Sequence, residues 1–308
     1  MPDFQALAYF RDGLVPAAEA KLSIYDLGIV MGATVTDMAR TYRHEPFRLQ
    51  DHLVRFYESC KYARLRVPLS LVETERVTRE LTRHNAQELA AKEDLAIVYF
   101  ITPGENPLYA GTAAGTIHLE PTFCIHTFPL PFSNWTHLFR DGAHLVTPSI
   151  RHIPPQCVDP KIKCRSRMHW WLADQEACLV DPKAVTLLLD LDGNVTETSG
   201  SNLLIAKQGA LISPTARNTM RGISRQNVME LCVKLQVAFA EREFQVHDVI
   251  NADEAFLTTT PYGIAPATRI NGLPIGNGTP GPLFKRIAAA WSAQVGFDIL
   301  EQICSSER

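Results

Sequence analysis

The sequence of 308 residues has little net charge and no long apolar run. Its 30 Lys and Arg residues nearly balance 33 Asp and Glu residues, which leaves a formal net charge of -3. This balance gives no electrostatic reason for a nucleic-acid or membrane-surface partner, and we expect neither. No apolar run approaches the roughly 18 residues of a membrane-spanning helix. The N-terminal residues lack the basic start and apolar core of a secretory signal, so we expect a cytoplasmic protein.

Motifs of several common site classes are missing. The seven cysteines are scattered and form no CxxC pair, so we expect reduced thiols rather than a zinc site or a disulfide framework. The ten histidines show no HExxH or other ligand spacing, and we expect no metal. The sequence also has no GxSxG nucleophile elbow and no Gly-rich nucleotide fingerprint. These absences argue against a serine hydrolase and a dinucleotide-binding enzyme.

The chain is long enough for two domains with a sizeable core. Residues 151–160 carry three prolines and little that packs, which predicts an interdomain linker. We therefore predict a small N-terminal α/β domain over residues 1–150 and a larger C-terminal domain over residues 161–308. Strands and helices alternate without a strict βαβ rhythm, which favours an α+β fold over a doubly wound sheet.

Hydrophobic periodicity predicts the elements of both halves. In the first half it predicts strands over 34–42 and 95–102 and a helix over 52–65, with Asp51 as the N-cap. Ser70 and Glu73 form a capping box that begins a second helix. In the second half, helices are predicted over 166–179, 224–236 and 281–294, and strands over 184–190, 202–207, 210–213 and 254–260.

The segment from Asp159 to Leu204 contains the residues that indicate a chemistry. Lys163 lies near its start, and a turn at 192–194 leads into Glu197. A lysine and a glutamate on neighbouring strands suit a pyridoxal-phosphate site, because the lysine holds the aldehyde as a Schiff base and the carboxylate keeps the pyridine nitrogen protonated. Lys161 would point the same way as Lys163 on a strand, so it is the alternative lysine.

These residues lie in segments that resemble the class IV, or fold-type IV, pyridoxal-phosphate aminotransferases, which include branched-chain and D-amino acid aminotransferases. The segments occur in the family's order: Asp51–Arg55, Lys163–Ala177, Val195–Glu197 with Ser201-Asn202, Gly222–Arg225 and, more weakly, Thr258–Thr260. The resemblance implies a small α/β domain, a C-terminal pseudo-barrel domain and pyridoxal 5'-phosphate as the cofactor. It also favours Lys163 over Lys161, because Glu197 then falls where the family has its glutamate.

Further positions are candidates for binding the cofactor phosphate. The resemblance places Arg55 on the phosphate, and a guanidinium matches a phosphate bidentately. Gly222, Ile223 and Ser224 open a predicted helix, and backbone amides at a helix N-terminus bind phosphate. Gly222 would allow a close backbone approach, and Ser224 would cap the helix or reach the phosphate. The resemblance makes Thr260 the last phosphate contact.

The predicted substrate side departs from the family pattern. Thr36-Asp37 stands where many members have an aromatic residue and a glutamate. The arginine with which D-amino acid aminotransferases grip the substrate carboxylate is missing from residues 101–104. We predict Arg40, Arg43 and Tyr109 as the residues to inspect first for substrate contact.

The sequence thus predicts a transaminase that acts on a branched-chain-like or D-amino acid and a 2-oxo acid. Two alternatives stay open: a lyase similar to aminodeoxychorismate lyase, with the same fold and cofactor, and a non-catalytic binding protein on the same scaffold. The resemblance further implies a homodimer whose loops cross between active sites.

Overall fold

A computed structural model describes residues 5–109, 111 and 119–305. The chain forms two compact units. Unit 1 comprises Met1–Leu130 and Ile162–Ser166, and unit 2 comprises Pro131–Lys161 and Arg167–Arg308. Residues 131–150 and the predicted linker therefore lie in unit 2, whereas Lys163 lies in unit 1. The units and the predicted domains differ at these positions, and the predicted domain boundaries stay predictions.

Unit 1 contains six strands and three α-helices in its described residues. In chain order these are β1 (Leu7–Phe10), β2 (Gly13–Pro16), α1 (Leu27–Val30), β3 (Val35–Tyr42), β4 (Glu45–Phe47), α2 (Leu49–Tyr62), α3 (Leu71–Asn85), β5 (Leu95–Thr102) and β6 (Thr122–Pro129). The strands form one antiparallel sheet in the order β2-β1-β6-β5-β3-β4. The predicted strands 34–42 and 95–102 are confirmed as β3 and β5.

The start of one of the two longer helices of unit 1 was predicted correctly, and the start of the other was not. Ser70 and Glu73 form the predicted capping box at the start of α3. Helix α2 begins at Leu49, after the N-cap Arg48 at φ 51°, so the prediction of Asp51 as the N-cap was wrong. Asp51 lies in the first turn instead, where its carboxylate accepts from Arg48 Nε at 2.6 Å. A carboxylate in the first turn also suits the helix dipole, which is why the pattern resembled a cap.

The core of unit 1 lies between these helices and the sheet. Apolar side chains of α2 and α3 pack with inward-facing residues of β3, β5 and β6; the fully buried members include Leu53, Phe56, Leu81, Ile97 and Phe123. Ile162, next to Lys163, packs against the same cluster. The hydrophobic core therefore holds the Lys163 segment in place on unit 1.

Unit 2 contains nine strands and six α-helices in its described residues. They are α4 (Thr136–Arg140), β7 (Ala143–Val146), α5 (Met168–Val180), β8 (Val185–Leu189), β9 (Val195–Thr198), β10 (Asn202–Lys207), β11 (Ala210–Ser213), α6 (Ile223–Lys234), β12 (Phe239–Glu241), α7 (Val246–Ile250), β13 (Glu254–Thr259), β14 (Gly263–Ile270), β15 (Leu273–Pro274), α8 (Pro282–Val295) and α9 (Ile299–Cys304). All seven predicted elements of this half are confirmed, with ends within two residues.

The sheet of unit 2 closes on itself. Its order is β12-β11-β10-β13-β14-β7-β8-β9, and β9 pairs back onto β10 through Glu197 and Asn202. Strands β7, β8 and β14 pair in parallel, and β10, β13 and β14 pair antiparallel. This closure confirms the α+β, barrel-like architecture, and it places Glu197 at the point where the ring is completed.

Strand β14 was not predicted, because it contains Pro266. Proline lacks the N–H that a central strand donates. In the structure, Pro266 pairs with Phe256 on β13, and pairing with β7 on the other side begins only at Ala267. Across residues 5–109, 111 and 119–305, none of the helices combines the length and the apolar character that crossing a membrane requires.

Candidate active site

Lys163 lies beside the first residues of β3. Thr36 N donates to Lys163 O at 2.9 Å, and Arg165 N donates to Thr34 O at 2.9 Å. Strand β4 pairs only with the far end of β3, so the segment around Lys163 covers the edge that β4 leaves open. Lys163 is therefore not part of a regular strand, and this detail of the prediction was wrong.

The structure distinguishes the two candidate lysines. Lys161 is exposed, and its Nζ lies 2.8 Å from Asp159 Oδ2. Lys163 is half-buried, and its N–H donates to Ser59 Oγ at 3.3 Å. A lysine that holds a cofactor must be partly desolvated to be neutral and nucleophilic. The placement of Lys163 meets this condition better than that of Lys161.

Arg55, predicted to bind phosphate, is held by a buried carboxylate in unit 1. Its Nε and Nη2 each lie 2.8 Å from an oxygen of Asp37. His52 Nδ1 lies 2.9 Å from Asp37 Oδ1. Asp37 is fully buried, and His52 and Arg55 are nearly so. Ser59, which binds the Lys163 backbone, lies one turn after Arg55 on α2, so the structure brings Arg55 and Lys163 into one neighbourhood.

The charges of this group follow from its contacts. Burial alone would raise the pKa of Asp37, but the Arg55 charge and hydrogen bonds from His52 and Arg55 outweigh it and hold that pKa well below its usual range. Burial lowers the pKa of His52, and the charges of Arg55 and Lys163 lower it further, against the effect of Asp37. His52 is therefore a neutral imidazole whose Nδ1–H donates to an ionised Asp37.

The three predicted substrate residues have different surroundings. Arg40 is 2% exposed, its Nε donates to Thr41 O at 2.8 Å, and its guanidinium is held by Asp94 and stacks on Tyr42. This burial is at odds with a substrate contact. Arg43 is exposed in the turn between β3 and β4. Tyr109 is exposed in a turn next to residues outside the described range, and its role stays a prediction.

Glu197 of unit 2 is a buried carboxylate, and one of its oxygens accepts two hydrogen bonds. Its Oε2 accepts from Asn202 Nδ2 at 2.9 Å and from Met220 N at 3.1 Å. Its Oε1 lies 3.6 Å from His152 Nε2. The tight turn between β9 and β10 places Asn202 directly opposite Glu197 in the ladder. Glu197 is thus an anchored, buried acid and not a surface turn residue.

Gly222 and helix α6 lie against the same asparagine. Gly222 is the N-cap, and Ile223 and Ser224 are the first two helical residues. Among the described residues, no side chain caps the start of α6. Of the two roles predicted for Ser224, the structure therefore does not show the cap, and the phosphate contact stays a prediction. A Cβ at Gly222 would lie 2.0 Å from Asn202 Oδ1, which explains why glycine is required here. The N-terminal amides of α6 therefore lie next to the residue that anchors Glu197, as a phosphate site would need.

The threonine run ends strand β13. Thr260 follows the strand in a turn and is half-buried. Thr259 Oγ1 donates to Gly200 O at 2.5 Å, which ties this turn to the turn before Asn202. Thr258 pairs with Asn202, and its buried hydroxyl has no hydrogen-bond partner within the described residues. The predicted Thr260 thus lies near the Glu197 turn, although its phosphate contact stays a prediction.

The structure adds two site neighbours that the sequence analysis did not identify. Asp37 was noted only as a departure from the family, and its bond to Arg55 depends on a helix-to-strand contact. His152 is the second residue of the predicted linker, and no local pattern links it to Glu197. Within unit 1 the structure brings together Lys163 and Arg55, and within unit 2 it brings together Glu197 and Gly222.

Comparisons with known proteins show what the chain is similar to. The family model for amino-transferase class IV matches residues 34–270. A putative branched-chain-amino-acid aminotransferase of Methanocaldococcus jannaschii is 30% identical over 295 residues, with 93% of this chain and 98% of the relative covered. A D-alanine aminotransferase of Bacillus licheniformis is 28% identical over 283 residues, with 91% and 94% covered. A T.th. branched-chain amino acid aminotransferase with pyridoxamine 5'-phosphate superposes with a TM-score of 0.82 at 26% identity, over 95% of both chains.

Proposed function

The chain belongs to the class IV aminotransferase family of pyridoxal-phosphate-dependent enzymes, and we propose that it moves an amino group between a branched-chain-like or D-amino acid and a 2-oxo acid. The names of the relatives support both amino-acid classes.

The arrangement around Asn202 carries this proposal. The side-chain Nδ2 of Asn202 donates to Glu197 Oε2 and to Met220 O. The side-chain Oδ1 of Asn202 lies against Gly222, at the start of α6. A buried carboxylate and an N-terminal set of backbone amides are therefore fixed by a single side chain. These are the two features that a pyridinium nitrogen and a phosphate require, so the residues present fit pyridoxal phosphate.

Each residue then has a chemical role. When bound, pyridoxal phosphate supplies an electron sink for the electron pair that remains when the substrate Cα loses its proton. Glu197 would keep a proton on the ring nitrogen. Lys163 Nζ would hold the cofactor and move the proton at the substrate carbon. Arg55, the Ile223 and Ser224 amides and Thr260 would bind the phosphate.

Asp37 supports the role of Arg55. Two nitrogens of the guanidinium bind the carboxylate of Asp37, so the plane and direction of the group are fixed before an anion binds. Preorganisation of this kind removes the entropy cost of ordering a long side chain on binding. We expect Arg55→Ala to weaken cofactor binding by about 1.5–3 kcal/mol, the range for a charged hydrogen bond, as measured by cofactor titration.

Covalent trapping tests the position of the cofactor. Borohydride reduction of the loaded enzyme, followed by peptide mapping, should find the cofactor on Lys163. Lys163→Ala should abolish both attachment and turnover, whereas Lys161→Ala should retain both. Attachment to Lys161 would show that the register of the proposed site is wrong.

A substrate panel tests the reaction itself. The enzyme is incubated with L- and D-amino acids, and each half-reaction is followed until the cofactor is fully aminated. We expect stoichiometric amination by at least one branched-chain or D-amino acid and its reversal by a 2-oxo acid. Turnover of aminodeoxychorismate without amination of the cofactor would instead favour the lyase.

We also propose that the enzyme is a cytoplasmic homodimer. Apolar side chains are exposed in a short stretch of unit 1, namely Ile24, Tyr25, Ile29, Val30 and Met31, and such patches mark interfaces. All seven cysteines are free thiols, which suits a reducing compartment. Light scattering should give about twice the 34.3 kDa of one chain, and a monomer would contradict the dimer proposal.

A further inference from the structure

His152 places both of its ring nitrogens near hydrogen-bond acceptors. Its Nδ1 lies 2.9 Å from Ile153 O, and its Nε2 lies 3.6 Å from Glu197 Oε1. The backbone is fixed by a bond from His152 N to Leu189 O at 2.9 Å, and the side chain is buried. A carbonyl and a carboxylate oxygen both accept, whereas a neutral imidazole has one N–H to donate. The neutral ring would therefore point a lone pair at an acceptor on one side.

Another buried histidine of unit 2 shows the opposite arrangement. His144 Nδ1 lies 2.7 Å from Asp181 Oδ2, and its Nε2 accepts from Gly272 N at 3.0 Å. One acceptor and one donor face this ring, so a neutral imidazole satisfies both. The comparison shows that burial beside a carboxylate does not by itself require a second ring proton. At His152 an acceptor faces each ring nitrogen, and only a ring with a proton on both nitrogens would present an N–H to each.

The remaining groups around His152 leave Glu197 as its charge partner. His169 and Trp170 of α5 pack against the ring, with centroids 5.9 and 5.7 Å away. Burial, with the charges of His152 and Arg167, lowers the pKa of His169 to about 4, so His169 is uncharged near neutral pH. Arg167 lies over the Trp170 ring. The carboxylate of Glu197 therefore supplies the negative charge that faces the imidazole.

We propose that His152 is a positioning residue for Glu197: as an imidazolium it donates Nδ1–H to Ile153 O and forms an ion pair through Nε2 with Glu197 Oε1, 3.6 Å away. Asn202 and Met220 already donate to the other oxygen, Oε2, so His152 holds the carboxylate from the side of Oε1. The carboxylate is then fixed in direction, as the partner of a ring nitrogen must be. This inference rests on the proposed role of Glu197.

The protonation state of His152 gives a test that does not depend on turnover. The loaded enzyme is labelled with 15N-histidine and examined by NMR near neutral pH, and the His152 signals are identified by their loss in His152→Gln. We expect two protonated ring nitrogens in the wild-type enzyme and one in Glu197→Gln. His144 should show one in both proteins, which makes it the internal control. A single protonated nitrogen on His152 in the wild-type enzyme overturns the proposal.

Kinetics then separate a positioning role from simple packing. His152→Phe fills the space without a donor, whereas His152→Gln keeps an N–H that can reach Glu197. We expect kcat to fall about 10- to 100-fold in His152→Phe, the loss typical of a partner that orients an active-site ligand, with KM and cofactor affinity changed less than about twofold. His152→Gln should recover most of the lost kcat.

The two proposals fail in different ways. If Glu197→Gln lowers turnover but His152→Phe does not, the role of His152 is wrong and the proposed function stands. If Glu197→Gln itself leaves turnover intact in the loaded enzyme, the proposed role of Glu197 is wrong. Equal losses in His152→Phe and His152→Gln would indicate packing and would also overturn the positioning role.

Discussion

Asp37→Asn is the most informative single change in unit 1. It keeps the size of the side chain and removes the charge that faces Arg55 and His52. Asp37 is 0% exposed and accepts from both side chains, with contacts of 2.8 Å to Arg55 and 2.9 Å to His52. In the variant, an amide N–H would face donors on one side, and the negative charge that Asp37 places against the buried guanidinium would be removed.

The size of the effect follows from the burial of the pair. Removing one partner of a buried ion pair costs about 3–5 kcal/mol, because the other charge stays buried without compensation. Urea unfolding of small domains has a slope of about 1–3 kcal/mol per M. With a slope of about 2, the unfolding midpoint of unit 1 should fall by about 1.5–2.5 M.

Tryptophan fluorescence reports on unit 2 alone, because of where the tryptophans lie. All four belong to unit 2: Trp135, Trp170, Trp171 and Trp291. Circular dichroism follows both units, so we expect a larger shift in the dichroism transition than in tryptophan fluorescence. The control is Glu75→Gln, which breaks a surface pair with Arg79 in the same unit and should cost less than about 0.5 kcal/mol. A loss in Asp37→Asn no larger than in this control would refute the reasoning.

The same pair predicts a pH dependence of stability. The folded pKa of Asp37 is depressed, so its contribution is complete above the unfolded pKa of about 3.9 and is lost as pH falls below that value. The folded pKa of His52 is also depressed, so the unfolded state binds its proton first and stability begins to fall below about pH 6.5. Unfolding free energies measured from neutral to acid pH should decrease in these two steps. In Asp37→Asn the step below about pH 4 should be smaller.

The remaining predictions concern unit 2. Glu197→Gln should lower kcat by about 10²–10⁴ with little change in cofactor occupancy, as single-turnover kinetics and cofactor titration would show. Gly222→Ala should force Asn202 away from its place, since the new Cβ would lie 2.0 Å from its Oδ1, and should cost about 1–3 kcal/mol in unfolding free energy and weaken cofactor binding. Gly200→Ala, where a Cβ meets nothing within 4 Å, is the matched control and should change neither; equal effects in both variants would contradict the steric argument.

Local patterns predicted the elements whose signals are local. The capping box at Ser70 and the apolar runs of β5 and β10 lie within a few residues of sequence, and the structure has them where they were predicted. The failures were also local in origin. Asp51 resembled an N-cap because acidic residues favour both the cap and the first turn. Pro266 argued against a strand at β14, because a proline fits a strand only where its nitrogen faces no neighbouring strand.

The sequence pointed to candidate residues of the site, but it did not predict which residues contact one another. Lys163 and Glu197 were identified from their chemistry and order along the chain. The bond from Asp37 to Arg55 spans 18 residues, and the approach of His152 to Glu197 spans a strand, a helix and a turn. Such contacts depend on tertiary packing, so periodicity and capping rules do not contain them. The family resemblance supplied positions for the first two residues and nothing about the partners that hold them.

Buried carboxylates give a physical reason to search for these partners. Asp37 and Glu197 are both buried, and a buried carboxylate is stable only where donors or a positive charge compensate its lost hydration. Asp37 has its compensation from a guanidinium and a neutral imidazole, which leaves it a structural anion for Arg55. Glu197 has two neutral donors on one oxygen and a histidine near the other. Within the described part of the chain, Glu197 lacks the bidentate guanidinium that Asp37 has, and a carboxylate oxygen that faces one imidazole keeps a second lone pair for a protonated ligand. This difference supports an anchoring role for Asp37 and the chemical role proposed for Glu197.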